Sequence, residues 1–148
     1  MTLEELNQSI VTGEINEVIR VAETRQVKRL GQIADEICGL EGKRLVLLAG
    51  ASSAGKTTTA MRLSTQLRVN DRKVLHLSTD DYFVGDDQTP RNEKGELDYE
   101  HVDCVDIPRL ASDINALLRG ESVPRRRFDF VKHEPSYLDE RISLPEGG

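Results

Sequence analysis

The chain has 148 residues, of which 37% are hydrophobic and 31% charged, enough for one domain with a core and short of two full ones. Lys and Arg number 20 against 26 Asp and Glu, and the net charge of -6 excludes broad binding to nucleic acid or an anionic membrane, which need excess positive surface. The start, Met1 to Leu6, is acidic and polar, unlike a secretory signal, and no apolar run nears the ~20 residues of a membrane span, so a cytoplasmic protein is expected.

The first forty residues read as helix. Thr2 and Glu5 have capping-box spacing, Ile15, Val18, Ile19 and Ala22 form one helical stripe, and Val27, Leu30, Ile33, Ala34 and Ile37 form another. Cys38 and Cys104 fit neither a CxxC metal spacing nor a disulfide scaffold, so both are expected as reduced thiols. Leu45 to Ala49 is a continuous apolar run, as in a parallel strand buried on both faces. A Gly/Ser-rich turn follows, then a helix from about Thr57 to Val69 with Ala60, Leu63 and Leu67 on one face. Arg72 to Ser78 reads as a second strand, which makes the unit βαβ. Gly85 to Gly95 is polar, acidic and rich in turn formers, which predicts an exposed, mobile loop. Asp106 is placed to cap a further helix, with Pro108 in its first turn, Leu110, Ile114, Leu117 and Leu118 facing inward, and Gly120 at its end. Val123 to Val131 and Ile142 to Leu144 are short strand candidates, and Arg125-Arg126-Arg127 within the first reads as a solvated charge run.

The strongest chemical signal is Gly50-Ala51-Ser52-Ser53-Ala54-Gly55-Lys56-Thr57, which matches G-x-x-x-x-G-K-[ST] between a strand-like run and an amphipathic helix. Glycines let the backbone curl so that successive N–H groups point at phosphate oxygens, and the helix that follows adds its positive N-terminal end. Lys56 can reach the β- and γ-phosphates of ATP, and Thr57 offers a hydroxyl to Mg²⁺.

Ser78-Thr79-Asp80-Asp81-Tyr82-Phe83 follows the second strand-like run at its carboxyl end, where open α/β sheets bind ligands. A carboxylate there could accept the proton of an attacking hydroxyl or bind Mg²⁺. On spacing alone such a pair is as often a cap or a turn, and spacing does not choose between Asp80 and Asp81.

With these segments the chain resembles the uridine kinase/phosphoribulokinase family of P-loop kinases. The resemblance rests on four motifs in the family's order: Ala49 to Thr58, Ser78 to Phe83, Leu97-Asp98, and Arg127-Phe128-Asp129-Phe130-Val131-Lys132-His133. It spans roughly Lys43 to Leu144 and is closest to bacterial nucleoside kinases in which this domain follows a threonyl-tRNA-synthetase-like region. It implies a helical lead-in over 1–42, and over 43–148 the front portion of an α/β kinase domain with a P-loop NTPase-type parallel sheet and flanking helices. It also implies that Gly50, Ala51, Ser52, Ser53, Ala54, Gly55, Lys56, Thr57 and Thr58 bind ATP, that Asp80 with Lys56 is catalytic, and that Asp80 joins Thr57 at Mg²⁺. By the same resemblance Asp98 holds sugar hydroxyls, Phe128 and His133 lie by the base, and Phe83 stands where a residue helps bind the nucleoside. Leu97, Phe128 and Phe83 depart from a more common Phe, Tyr and Tyr, which bears on the choice of nucleoside.

The expected function is therefore ATP-dependent phosphoryl transfer to a small hydroxyl-bearing acceptor, in the first place a nucleoside such as uridine or cytidine. The alternatives are a nucleotide-binding module or fragment without turnover, and a kinase for another acceptor such as phosphoribulose or pantothenate. A GTPase switch is disfavoured because no N-K-x-D motif occurs. In the family a strand ending in glutamate and an arginine-rich lid helix follow the last matched segment. The fold is accordingly expected to be incomplete at its C-terminus, with weak turnover and self-association through an uncovered sheet edge.

Overall fold

The computed structural model describes residues 1–42, 44–51 and 53–145, and Ser52 of the glycine-rich loop and the segment 146–148 lie outside the described residues. The chain divides into two compact units, Met1–Lys73 and Val74–Gly148.

The first unit is helical. Helix α1, Leu3–Val11, starts at the expected capping box: the Thr2 hydroxyl accepts from the Glu5 amide at 3.2 Å while the Glu5 carboxylate accepts from the Thr2 amide at 2.6 Å. The helix stops at Thr12, and α2 begins only at Ile15 and runs to Gly39, a break that the apolar stripes had not disclosed. Helix α3, Lys56–Val69, packs on the distal half of α2, where Leu30 and Ala34 bury against Leu63 and Leu67. Asn70, just past α3, donates to the Asp35 carboxylate at 2.8 Å and fastens the ends of the pair. The proximal half of α2 has no such cover: Ile19, Val21 and Val27 are exposed.

The second unit is built on helix α4 and a hairpin. Asp106 caps α4, Ile107–Leu118, by accepting from the Arg109 amide at 3.1 Å, with Pro108 in the first turn as expected. Strand β1, Val123–Asp129, pairs antiparallel with β2, Glu134–Ile142. The register is regular from Asp129↔Glu134 to Arg126↔Tyr137 and resumes at Pro124↔Arg141, so extra residues of β2 bulge opposite Arg125. The irregularity shifts the phase of β1, and Val123, Arg126 and Phe128 are all buried although they do not share one alternation.

Two expectations are corrected. Residues 44–50 and 72–78 form no strand, and among the described residues the only sheet is the antiparallel hairpin β1–β2. Leu45, Val46, Leu47 and Leu48 are between 44% and 80% exposed, the opposite of a strand covered on both faces. An apolar run states what a strand would bury, but a parallel strand exists only where a neighbour supplies its ladder hydrogen bonds, and neither segment has one among the described residues. What holds is a mixed helix-and-strand chain. The second correction concerns Gly85 to Gly95, which is tied by its own hydrogen bonds: the Asn92 carboxamide accepts from the Lys94 and Glu96 amides, and the Thr89 hydroxyl donates to the Gly85 carbonyl at 3.0 Å.

No helix among the described residues is long and apolar enough to cross a membrane. Cys38 and Cys104 are both free, and burial pushes the Cys104 thiol up while it donates to the Tyr99 carbonyl at 2.9 Å.

Candidate functional site

In the first unit the glycine-rich loop enters α3 through Gly55, whose φ of 75° is left-handed, as is the 59° of Ser53. A side chain at Gly55 would be strained there, which explains why this position of the motif is glycine. Gly50 meets a spatial limit instead: a Cβ would lie 3.4 Å from Lys56 Cγ and 3.6 Å from the Ala54 methyl. The loop closes on itself, with the Ala54 amide donating to the Ala51 carbonyl at 3.2 Å and Lys56 Nζ reaching the same oxygen at 2.9 Å. No side chain caps the start of α3, so the amides of its first turn have no local acceptor from a capping residue. Thr57 and Thr58 are exposed on that turn. A curled backbone, an uncapped helix start and a primary ammonium are the parts of a phosphate cradle.

In the second unit Ser78 caps a 3₁₀ turn, Thr79–Tyr82, accepting from the Asp80 amide at 3.3 Å. The turn leaves Asp80 exposed, and among the described residues its carboxylate has no hydrogen-bond or ion-pair partner. Asp81 is half-buried. The far end of the turn is anchored. Tyr82, 2% exposed, donates to the buried Asp113 carboxylate at 3.1 Å, and Asp113 pairs with Arg109 one helical turn earlier at 3.1 Å. Burial and the Asp113 charge push the Tyr82 phenol far above its ordinary range, so it stays a donor.

Arg126 overturns its reading as part of a solvated charge run. Its side chain is 4% exposed, donates to Asp106 at 3.0 Å and to the Phe83 carbonyl at 2.8 Å, and lies over the Tyr82 ring at 5.4 Å. Arg125 pairs across the hairpin with Glu140, and Arg127 is exposed. Arg126 therefore ties β1, the cap of α4 and the Asp80 segment together. Arg126→Met is expected to destabilise the second unit by about 2–3 kcal/mol, less than a fully buried pair because Asp106 is a third exposed. All three tyrosines, Tyr82, Tyr99 and Tyr137, belong to this unit, so urea unfolding followed by tyrosine fluorescence isolates the effect. A midpoint equal to the parent's would mean that the pair is idle.

Three of the four residues expected on the substrate side meet in one cluster. Phe83 stands edge-on to Phe128 at 5.5 Å and to Phe130 at 6.2 Å, and the latter two are 5.0 Å apart. Tyr99 adds a fourth ring 6.3 Å from Phe83 and lies 6.0 Å from the His133 imidazole. Residues 130–133 form the hairpin loop, tied by the Asp129 carboxylate, which accepts from the Val131 and Lys132 amides and is held low by them. His133, with φ of 55°, is turned toward Tyr99, and its Nδ1 lies 2.9 Å from the Tyr99 hydroxyl. Asp98, the fourth, adjoins Tyr99 in the chain, and its carboxylate accepts from the Glu100 amide at 3.1 Å. The sequence reading missed Tyr99, Phe130 and Asp86. Phe130 lies just past β1 in the hairpin loop, and its spacing of two from Phe128 within the expected strand was the one signal for it.

No protein-family model matches the chain. Among curated proteins it is similar to the uridine kinase of Lactobacillus helveticus, 30% identical over 97 residues, which are 66% of this chain and 46% of the relative. The uridine kinase of Deinococcus deserti is 33% identical over 89 residues, 60% of this chain and 42% of the relative, and that of Chloroflexus aurantiacus 28% over 98 residues, 66% and 46%. The chain spans about half the length of the curated relatives it matches.

Proposed function

The chain is uridine kinase-like in sequence, and we propose that it carries the phosphate loop and the acceptor-binding surface of an ATP-dependent nucleoside kinase. The observation that carries this reading is the loop before α3, described at residues 50–51 and 53–55, with its left-handed Gly55 and uncapped helix start, on a chain similar to curated uridine kinases. In this reading the amides of the loop and Lys56 bind the triphosphate and offset its charge. Asp80, exposed and uncommitted, orients the acceptor hydroxyl and takes its proton. The rings of Phe83 and Phe128 offer apolar faces to a base, Asp98 holds sugar hydroxyls, and His133 reads the base edge.

Mg²⁺ fits the donors present. Taken singly, Thr57 offers a hydroxyl in the first unit and Asp80 a carboxylate in the second, each an oxygen donor of the kind Mg²⁺ takes one or two of, leaving its other positions to water and phosphate. When bound, Mg²⁺ neutralises charge on the phosphate oxygens. The same reading makes residues 44–50 and 72–78 parallel strands of a P-loop NTPase sheet, acquired where neighbouring strands pair with them, and makes 1–42 a helical lead-in. The exposed side chains of Leu45, Val46, Leu47 and Leu48 favour self-association meanwhile.

The test is transfer of label from γ-labelled ATP, incubated with Mg²⁺ and the chain, to uridine, cytidine, ribulose phosphate or pantothenate. Label on a nucleoside is expected. Label on one of the other two alone would reassign the acceptor, and label on none would leave a nucleotide-binding module.

A further inference from the structure

We propose that Asp86 and Tyr99 are positioning residues that hold His133 in its Nδ1–H tautomer, so that Nε2 is a hydrogen-bond acceptor for an N–H group on the base. The inference deepens the nucleoside reading and rests on it for the identity of the ligand. Its geometric part stands alone.

The tautomer follows from proton counting. The Tyr99 hydroxyl donates to Asp86 Oδ1 at 2.6 Å, and this bond is the main cause holding the phenol above its ordinary range. A phenol has one proton, so once it is given to the carboxylate the oxygen can only accept from its second neighbour. That neighbour is His133 Nδ1, at 2.9 Å. Nδ1 therefore carries a hydrogen, and the Asp86 carboxylate, 3.4 Å from the same nitrogen, favours it there. Neutral imidazole has one N–H, which leaves Nε2 with a lone pair. Free imidazole side chains favour the opposite, Nε2–H form, so the arrangement is imposed by the neighbours.

The backbone supports the placement. The Asp129 turn and the left-handed φ of His133 fix the imidazole at the end of the hairpin loop. Gly85, next to Asp86, is buried, and a Cβ there would lie 2.6 Å from the Asp87 carboxylate and 3.8 Å from the His133 carbonyl.

The chemistry selects a class of ligand. A lone pair at Nε2 accepts from an amino group or ring N–H and repels a keto oxygen placed there. A base presenting an exocyclic amine, such as cytosine, is bound better than the same base with that N–H replaced.

The experiment uses the whole chain labelled with nitrogen-15, at alkaline pH where imidazoles are neutral. Long-range proton–nitrogen correlation spectra assign the His133 tautomer directly, His76 and His101 being identified by substitution. The parent is expected to show Nδ1–H. Asp86→Ala frees the Tyr99 proton for Nδ1 and should convert His133 to Nε2–H, while Tyr99→Phe should weaken the Nδ1–H preference to what Asp86 alone sustains. Because Tyr99→Phe keeps the ring, folding is preserved in at least one variant. Nε2–H in the parent, or a tautomer indifferent to both substitutions, would overturn the proposal. The binding arm compares cytidine with N4,N4-dimethylcytidine, for which about tenfold weaker binding is expected, the worth of one hydrogen bond. Equal binding of the two would overturn the acceptor role of Nε2. An Nδ1–H tautomer in a chain that binds neither nucleoside would sink the nucleoside reading and leave the positioning of His133 standing.

Discussion

Asp80→Asn is expected to cut nucleoside-dependent turnover by ~10²–10⁴-fold relative to the parent chain, with Mg·ATP binding changed far less. The substitution keeps the size and the Ser78-capped turn, because that cap is made by the Asp80 amide and not by its carboxylate. What it removes is the carboxylate proposed to take the hydroxyl proton. Asp81→Asn should be milder, since Asp81 is half-buried beside the anchored Tyr82 and Asp80 faces solvent. Single-turnover rates for the two variants, measured side by side, decide the assignment. If Asp81→Asn proved the more damaging, the proton acceptor would be the other carboxylate.

Lys56→Ala should abolish most of the thermal stabilisation that Mg·ATP confers. A ligand at ~100 times its dissociation constant, binding only the folded state, adds ~2.7 kcal/mol. Lys56 Nζ now spends its hydrogen bond on the Ala51 carbonyl of its own loop, so removing it costs the empty loop one exposed contact and little stability. The loss should therefore appear in the ATP-dependent shift and not in the melting temperature without nucleotide. A variant that answered ATP as the parent does would place the phosphate site elsewhere.

Local features were legible in the residues because their causes are local. The Thr2–Glu5 box, the Asp106 cap with Pro108, and the curled loop before α3 each depend on side chains within a few positions. The hairpin was half legible. Strand β1 was expected, but most of β2 was not: Glu134 to Arg141 is charged and almost wholly exposed, with no alternation to read, and its pairing is set by the Asp129 turn and by β1. Arg126 was misread for a related reason. Three consecutive arginines look like a solvated run, and only the bulge opposite Arg125 turns the middle one inward to meet Asp106 and the Phe83 carbonyl, 20 and 43 positions away. The apolar runs near Leu45 and Val74 were recognised as strand-like, yet a ladder depends on partners distant in sequence. At the candidate site, Phe83, Phe128 and His133 were singled out by the family resemblance and lie in one group of rings with Tyr99, whereas Asp86 and Tyr99 carry no motif and emerged only from their contacts.

The most direct test of the central claim is ADP formation from Mg·ATP by the purified 148-residue chain, measured with and without a nucleoside. The proposed kinase predicts that ADP forms faster when uridine or cytidine is present, and that Asp80→Asn removes this dependence. ADP formation at the same rate in either case, unaffected by Asp80→Asn, would contradict it.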